Sequence, residues 1–404
     1  MHALLLLLAV HLQPLGGIRP FVVDGVLVGG STSWGIVVVD DGGALRVCEE
    51  AARQNAAFHV RLDDGRVLLG GPGGLYASDD DGCSLRPVLG DVLSHEIAAV
   101  AVGAGGTFVS SGRPGFPNGV FVGVDGDTRF VRTGLDGTAS PLWDLVADPA
   151  RPAVFVSGDD LDLEQPLLLA SSDAGATWEA PAFDVGVYAA LTVLGVDDDG
   201  AVFVGATHAD RSGSLLRASA DLSSVETVAS FDLPVTHAAV LAGALAVVVE
   251  PGQLYVRAAF EPELVVVADV QAGCVWSIDQ ALWACGSTTG RLAGVHFARS
   301  LDGHTWIPAL LDDDIRERSC PADTDGAEAC AAYVDVPTVG PDAGPDDPVE
   351  EPADAGFAAE ETNDDDDDDD DAVEAVEASC TGGRALPGWA LGVLLCCGFR
   401  RRSM

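Results

Sequence analysis

The 404-residue chain contains no lysine. Its 21 basic residues are all arginines, against 63 acidic ones, for a formal net charge of −42. Proteins that hold nucleic acid need a basic stripe to neutralise phosphates, so that partner class is excluded. Aromatics supply only 6% of the residues, and long apolar stripes at helical spacing are missing. Short apolar runs broken by 48 glycines, by aspartate and by proline take their place, which is the pattern of an all-β protein. Catalytic signatures are missing too: there is no G-x-S-x-G, no H-E-x-x-H and no P-loop. Without a C-x-x-C or a histidine pair no zinc site is expected, and the sequence names no cofactor.

What is present begins with an apolar run, "ALLLLLAV", after Met1-His2. It is too short to span a bilayer and reads as the core of a signal peptide over residues 1–17, so export is expected. Nine cysteines suit an oxidising compartment. Cys274 and Cys285 flank "CVWSIDQALWAC", and Cys320 and Cys330 flank a small loop, so both pairs are expected as local disulfides. Cys48 and Cys83 remain in the body of the chain and are expected to staple its first two repeats.

Comparing the chain with itself gives the strongest signal. Seven segments, starting at Val26, Val67, Thr107, Val154, Val202, Leu245 and Leu282, share one pattern: apolar strand, variable loop, apolar strand, polar turn. Another apolar strand precedes each, as in "SPLWDLVADP". The turn aspartates Asp41, Asp80, Asp125, Asp173, Asp221 and Asp302 recur at steps of roughly 40–50 residues, with one copy degenerate. Four strands in such a unit make a propeller blade, and seven blades stacked radially bury a continuous core with no free edge. A β-helix is the rival, but its repeats are shorter. The expected fold is an all-β, seven-bladed β-propeller of four-stranded antiparallel blades over 18–336, acting as a monomer.

Ser171-Ser172-Asp173-Ala174-Gly175-Ala176-Thr177-Trp178 matches S-x-D-x-G-x-T-W in full. Ser78, Asp80 and Gly82 repeat it in a second copy. Ser300, Asp302, Gly303, Thr305 and Trp306 form a third copy one residue short. This stretch resembles the Asp-box of bacterial neuraminidase repeat proteins, sortilin-like receptors and the photosystem II assembly factor family. The resemblance covers residues ~20–311 and implies that the box lies between the third and fourth strands, away from the ligand face. Its chemistry is local: Asp and Ser bond backbone groups in a tight turn, Gly supplies positive φ, and Trp packs the hairpin. Sialidases share these boxes, but the three arginines and Tyr–Glu pair of that class find no convincing match. Ile18-Arg19-Pro20 has the wrong order for the arginine motif. A non-catalytic binding or scaffold module is expected. A sialidase-like hydrolase and an envelope assembly factor stand as alternatives.

Loops between second and third strands share a face with the inter-blade loops, and there a protein or glycan ligand is expected. They are 112–118, 158–165, 207–214 and 287–291. Asp159, Asp160, Asp162 and Glu164 crowd one of them, and His208, Asp210 and Arg211 occupy another. His95, His237 and His296, in or beside apolar strands, are read as structural.

From Pro337 the composition breaks. Residues 337–379 hold 18 acidic side chains, including an octa-Asp run, and no basic one, as in a disordered linker. Residues 380–404 carry Cys380 in a small-residue context, an apolar stretch at 385–399 expected as a short helix of ~22 Å, and Arg400, Arg401 and Arg402. This layout resembles the C-terminal sorting signals of Gram-negative surface proteins, especially the myxobacterial type. The resemblance implies processing and lipid anchoring at Cys380 and an outer-membrane location. A plain C-terminal membrane anchor is the alternative.

Overall fold

Strands that read as unbroken apolar runs need cover on both faces. The computed structural model supplies it by standing seven sheets radially around an axis. It describes residues 19–324 except 33–34, 41–42, 49–57, 125, 259–260, 262, 287–291, 318–319 and 323. The protein is an all-β, seven-bladed propeller, and among the described residues a single 3-10 turn, Asp312–Asp314, is the only helical element. The linker, the C-terminal stretch and the expected signal peptide lie outside the described residues.

The innermost strands are Pro20–Val23, Phe58–Arg61, Ile97–Gly103, Leu142–Ala147, Ala190–Val196, Val235–Leu241 and Cys274–Ile278. The chain then zigzags outward within each blade. Burial falls in the same direction. The second strands Val67–Gly71 and Ala281–Cys285 are buried throughout, whereas the outer strands Val225–Phe231 and Ile307–Leu311 are largely exposed.

Seven apolar clusters fill the seven seams between blades. Phe58 and Leu68 of blade 2 pack with Val109 and Phe121 of blade 3. Blades 3 and 4 meet through Phe108 and Val154, 4 and 5 through Phe155 and Leu191, 5 and 6 through Phe203 and Leu245, 6 and 7 through Leu254 and Leu282. Ile36 of blade 1 joins Leu69 of blade 2. The ring closes where Phe297 of blade 7 packs with Val37 and Ala44 of blade 1.

The connections repeat as well as the sheets. Leaving blade 2, the chain adds Leu89–Gly90 in parallel to the outer strand of blade 3, Arg129–Thr138. Leaving blade 7, it adds Ile315–Glu317 in parallel to Gly43–Cys48, the outer strand of blade 1. The path from blade 7 to blade 1 therefore copies an ordinary blade-to-blade path. Blade 4 departs from four strands: its ladder has three, and the fourth shrinks to a single bridge between Ala170 and Glu179. Pro181, with no N–H to donate, follows two residues later.

The cysteine pairing needs correction. Cys274 is bonded to Cys285 as expected, directly opposite it in the ladder. Cys83, however, is bonded to Cys320, not to Cys48, and Cys320 does not pair with Cys330, which lies outside the described residues. Spacing along the chain favours small loops. The edge strand at 315–317 instead carries the chain past blade 1 and brings Cys320 to the turn of blade 2.

Candidate functional site

The Ser-x-Asp turns lie where the third strand hands over to the fourth. Asp173 closes its turn with both oxygens: Oδ1 accepts from Ser171 Oγ (2.8 Å) and Thr177 N (2.8 Å), and Oδ2 from Thr177 Oγ1 (2.7 Å). Gly175 N donates to Ser171 Oγ, and Trp178 Nε1 to the Gly175 carbonyl. Gly175 takes φ +87°, open to glycine and costly for other residues. Ser78, Asp80 and Gly82 repeat the geometry, as do Ser300, Asp302, Gly303, Thr305 and Trp306. Asp221 does the same with Ser219 and Ser223. Backbone and hydroxyl donors hold Asp173 below the usual carboxylate range and bring Asp302 down to about 2. Carboxylates spent this way are turn-closing groups.

The loop residues singled out in the sequence do not converge. Asp160 accepts from the backbone of Asp162 and Leu163, and Asp210 from Ser212, so each folds its own turn. His208 meets Ser214 Oγ at 2.9 Å and stacks near Tyr188. Asp162, Glu164 and Arg211 are exposed. Asp159 is different. It is 8% exposed, and its Oδ2 accepts a 2.8 Å bond from Trp143 Nε1.

Trp143 leads to the axis. Six of the innermost strands line a channel of about 450 Å³, and Arg19, just ahead of Pro20–Val23, lines it beside blade 1. Small side chains line it on two blades, with Ala98 and Ala99 on blade 3 and Thr192 on blade 5. One set of polar groups sits at the end where the innermost strands begin, with Arg19, His59, Trp143, Asp144, His237 and Trp276; Asp148, Arg151, Asp197 and Asp198 line the other. Three of these strands carry a register shift there, at Ile97/Ala99, Leu142/Asp144 and Val235/His237. Such bulges re-aim side chains and are common beside binding sites.

Asp144 is held by Ser157 Oγ at 3.2 Å, and Ser157 accepts from Val193 N of the next blade at 3.1 Å. Burial pushes the Asp144 carboxyl up to about 7, and the charge of Asp159 adds to the rise. His237 is 6% exposed, its Nδ1 has no hydrogen-bond partner among the described residues, and burial brings it down to about 4, so it is neutral at pH 7. Its ring meets Trp276 edge-on at 6.1 Å, and the Arg19 guanidinium lies 5.2 Å from the same indole. The opposite end of the channel is satisfied internally. Arg151 bonds Asp148 (2.9 Å) and the carbonyl of Asp198 (2.7 Å) there. The one signal of this site in the sequence is the pair Trp143-Asp144 inside an apolar strand.

No family model and no curated protein matches the chain. Solved structures do. The extracellular domain of a putative hybrid two-component system from B. thetaiotaomicron superposes with TM-score 0.50 at 12% identity, over 68% of this chain and 37% of that one. The chain thus spans well under half the length of that relative. The WD40 repeats of RRP9 give 0.48 at 14% identity, over 68% and 89%. YCF48 bound to a D1 peptide gives 0.38 at 15%, over 61% and 79%. At these identities the likeness is one of fold alone.

Proposed function

We propose that this protein is an exported, non-catalytic binding module whose partner docks on the face around the open end of the channel. The observation that carries the reading is the contrast between the two ends: at one, Arg151 is already paired with Asp148, while the other presents aromatic, acidic and imidazole groups. The disulfides suit export. Kinship with the Asp-box propellers rests on the repeated turns, and a C-terminal sorting signal at Cys380 would tether the module at the cell surface. The sialidase-like alternative would need three arginines around one carboxylate; among the described channel-lining residues, Arg19 and Arg151 stand at opposite ends.

Photo-crosslinking on cells tests this. A crosslinker at Leu163 or Leu233, both exposed on the open-end face, should trap a partner, and one at Leu301, in a turn at the other end, should not. Equal trapping from both faces, or turnover in a fluorogenic glycoside panel, would overturn the reading.

A further inference from the structure

From the channel geometry we infer that the open end takes a cationic side chain, an arginine or lysine of a polypeptide partner, between Trp143 and Asp144. The inference rests on the binding-module reading and adds its chemistry.

Asp144 lines the channel, has one hydrogen-bond donor in Ser157, and pairs with no basic side chain among the described residues. Its fixed orientation, through Ser157 and Val193, makes it a prepared acceptor. Trp143 beside it is fixed in turn by Asp159. An indole and a carboxylate on neighbouring residues of one channel wall, with the buried Asp159 carboxylate holding the indole N–H, suit a guanidinium or ammonium. The chain already uses the same pairing once, with Arg19 over Trp276 on the opposite wall. His237 supplies an independent pointer: a nine-tenths-buried imidazole on the channel wall whose Nδ1 lacks a partner.

The rim decides for a polypeptide over a free cation. Leu93, Phe116, Leu163, Val187 and Leu233 are exposed apolar side chains in loops on this face. Asp162, Glu164, Asp184, Asp210 and Asp232 are exposed among them and outnumber Arg113 and Arg211, so a basic segment with apolar neighbours is the complementary partner. Within the channel, the groups facing Asp144 are Asp159 from its own blade and Arg19, His59 and His237 from across. From the adjoining strands, the channel-lining residues nearest their starts are Ala98, Ala99 and Thr192, none of them titratable.

The test titrates the full-length protein with capped peptides Ac-Leu-Ala-Xaa-Ala-Leu-NH2, where Xaa is arginine, lysine, citrulline or glutamate, followed by tryptophan fluorescence. Arginine and lysine peptides should bind at least tenfold tighter than the neutral citrulline isostere, and glutamate more weakly still. Because Asp144 gives up its proton around pH 7, affinity for the arginine peptide should rise several-fold between pH 6 and 8. Asp144→Asn, with unchanged fold by circular dichroism, should lose at least tenfold at pH 8 and flatten that profile. Equal binding of arginine and citrulline peptides, full affinity in Asp144→Asn, or no binding of the arginine peptide would each overturn the cation site. None of these would touch the module reading, which stands or falls on the crosslinking.

Discussion

Cys83 and Cys320 are joined although they lie 237 positions apart in the chain, with Cα atoms 5.4 Å apart. The bond ties the turn of blade 2 to the segment that follows blade 7, so it adds a covalent lock to a ring whose seams are apolar. Cross-linking so long a loop restricts the unfolded chain, and Cys83→Ser is expected to cost about 2–4 kcal/mol. Thermal melts of wild type and variant without reductant should show the loss, since Cys274–Cys285 stays intact in both. A non-reducing peptide map should recover the Cys83–Cys320 peptide pair; a Cys48–Cys83 pair would contradict the structure.

The seam between blades 7 and 1 gives a second prediction. Phe297 is fully buried, and its ring fills the space that a side chain at Gly30 would need: a Cβ there would lie 2.3 Å from Cε2. Phe297→Ala should therefore destabilise by about 3–5 kcal/mol. Gly30→Ala alone should also lower Tm, and part of that loss should return in the double variant with Phe297→Leu. Additive losses would mean that the two positions do not touch.

Architecture was legible in the sequence, and the site was not, for a physical reason. Turn chemistry is local. Ser171, Asp173 and Gly175 form their bonds within five residues, so the repeat and its spacing carry the fold directly. The pairing of Cys83 with Cys320 depends on ring closure, which no local spacing encodes. The channel depends on it further. Trp143, His237 and Trp276 sit on three blades, and each alone reads as a core residue of an apolar strand. Asp159 was singled out as a rim acid, yet its role is to hold Trp143 from behind, a contact between strands that composition cannot show.

Two carboxylates should leave opposite marks on stability against pH. Asp302 is held at about 2, chiefly by the Thr305 N–H, against an ordinary 3.8. Its contribution is present above about pH 4 and is lost as pH falls towards 2. Asp144, raised to about 7 by burial, binds its proton in the folded state while the unfolded chain has released it. Stability from that site is full below about pH 4, declines as pH rises to 7 and is flat beyond. Asp144→Asn should raise Tm by a few degrees at pH 8 relative to wild type and change it little at pH 4. A gain of equal size at both values would show that Asp144 does not titrate near neutrality.

Asp173→Ala should lower Tm and leave partner binding unchanged, because all its bonds are spent inside the turn. Asp173→Asn should lose less, since its amide oxygen can still accept from Thr177 N. Weaker binding at unchanged Tm would reassign the turn to the ligand face.

The acids of blade 4 separate a structural from an electrostatic role. Asp159 is buried against Trp143, whereas Asp162 and Glu164 are exposed. The double variant Asp162→Asn/Glu164→Gln should keep the wild-type Tm, because exposed charges without an ion pair among the described residues contribute little to stability. Its effect should fall on the association rate of a basic partner, which drops several-fold at low salt and converges with wild type near 0.5 M, where screening shortens the reach of the rim charge. Asp159→Asn behaves differently. It weakens the hold on the indole and loses negative charge behind the channel wall, so it should shift the Trp143 Nε1–H resonance, lower Tm and speed dissociation at every salt concentration. Stopped-flow rates at several ionic strengths separate the two. Salt-sensitive dissociation in the double variant would place Asp162 and Glu164 inside the contact, not at its rim.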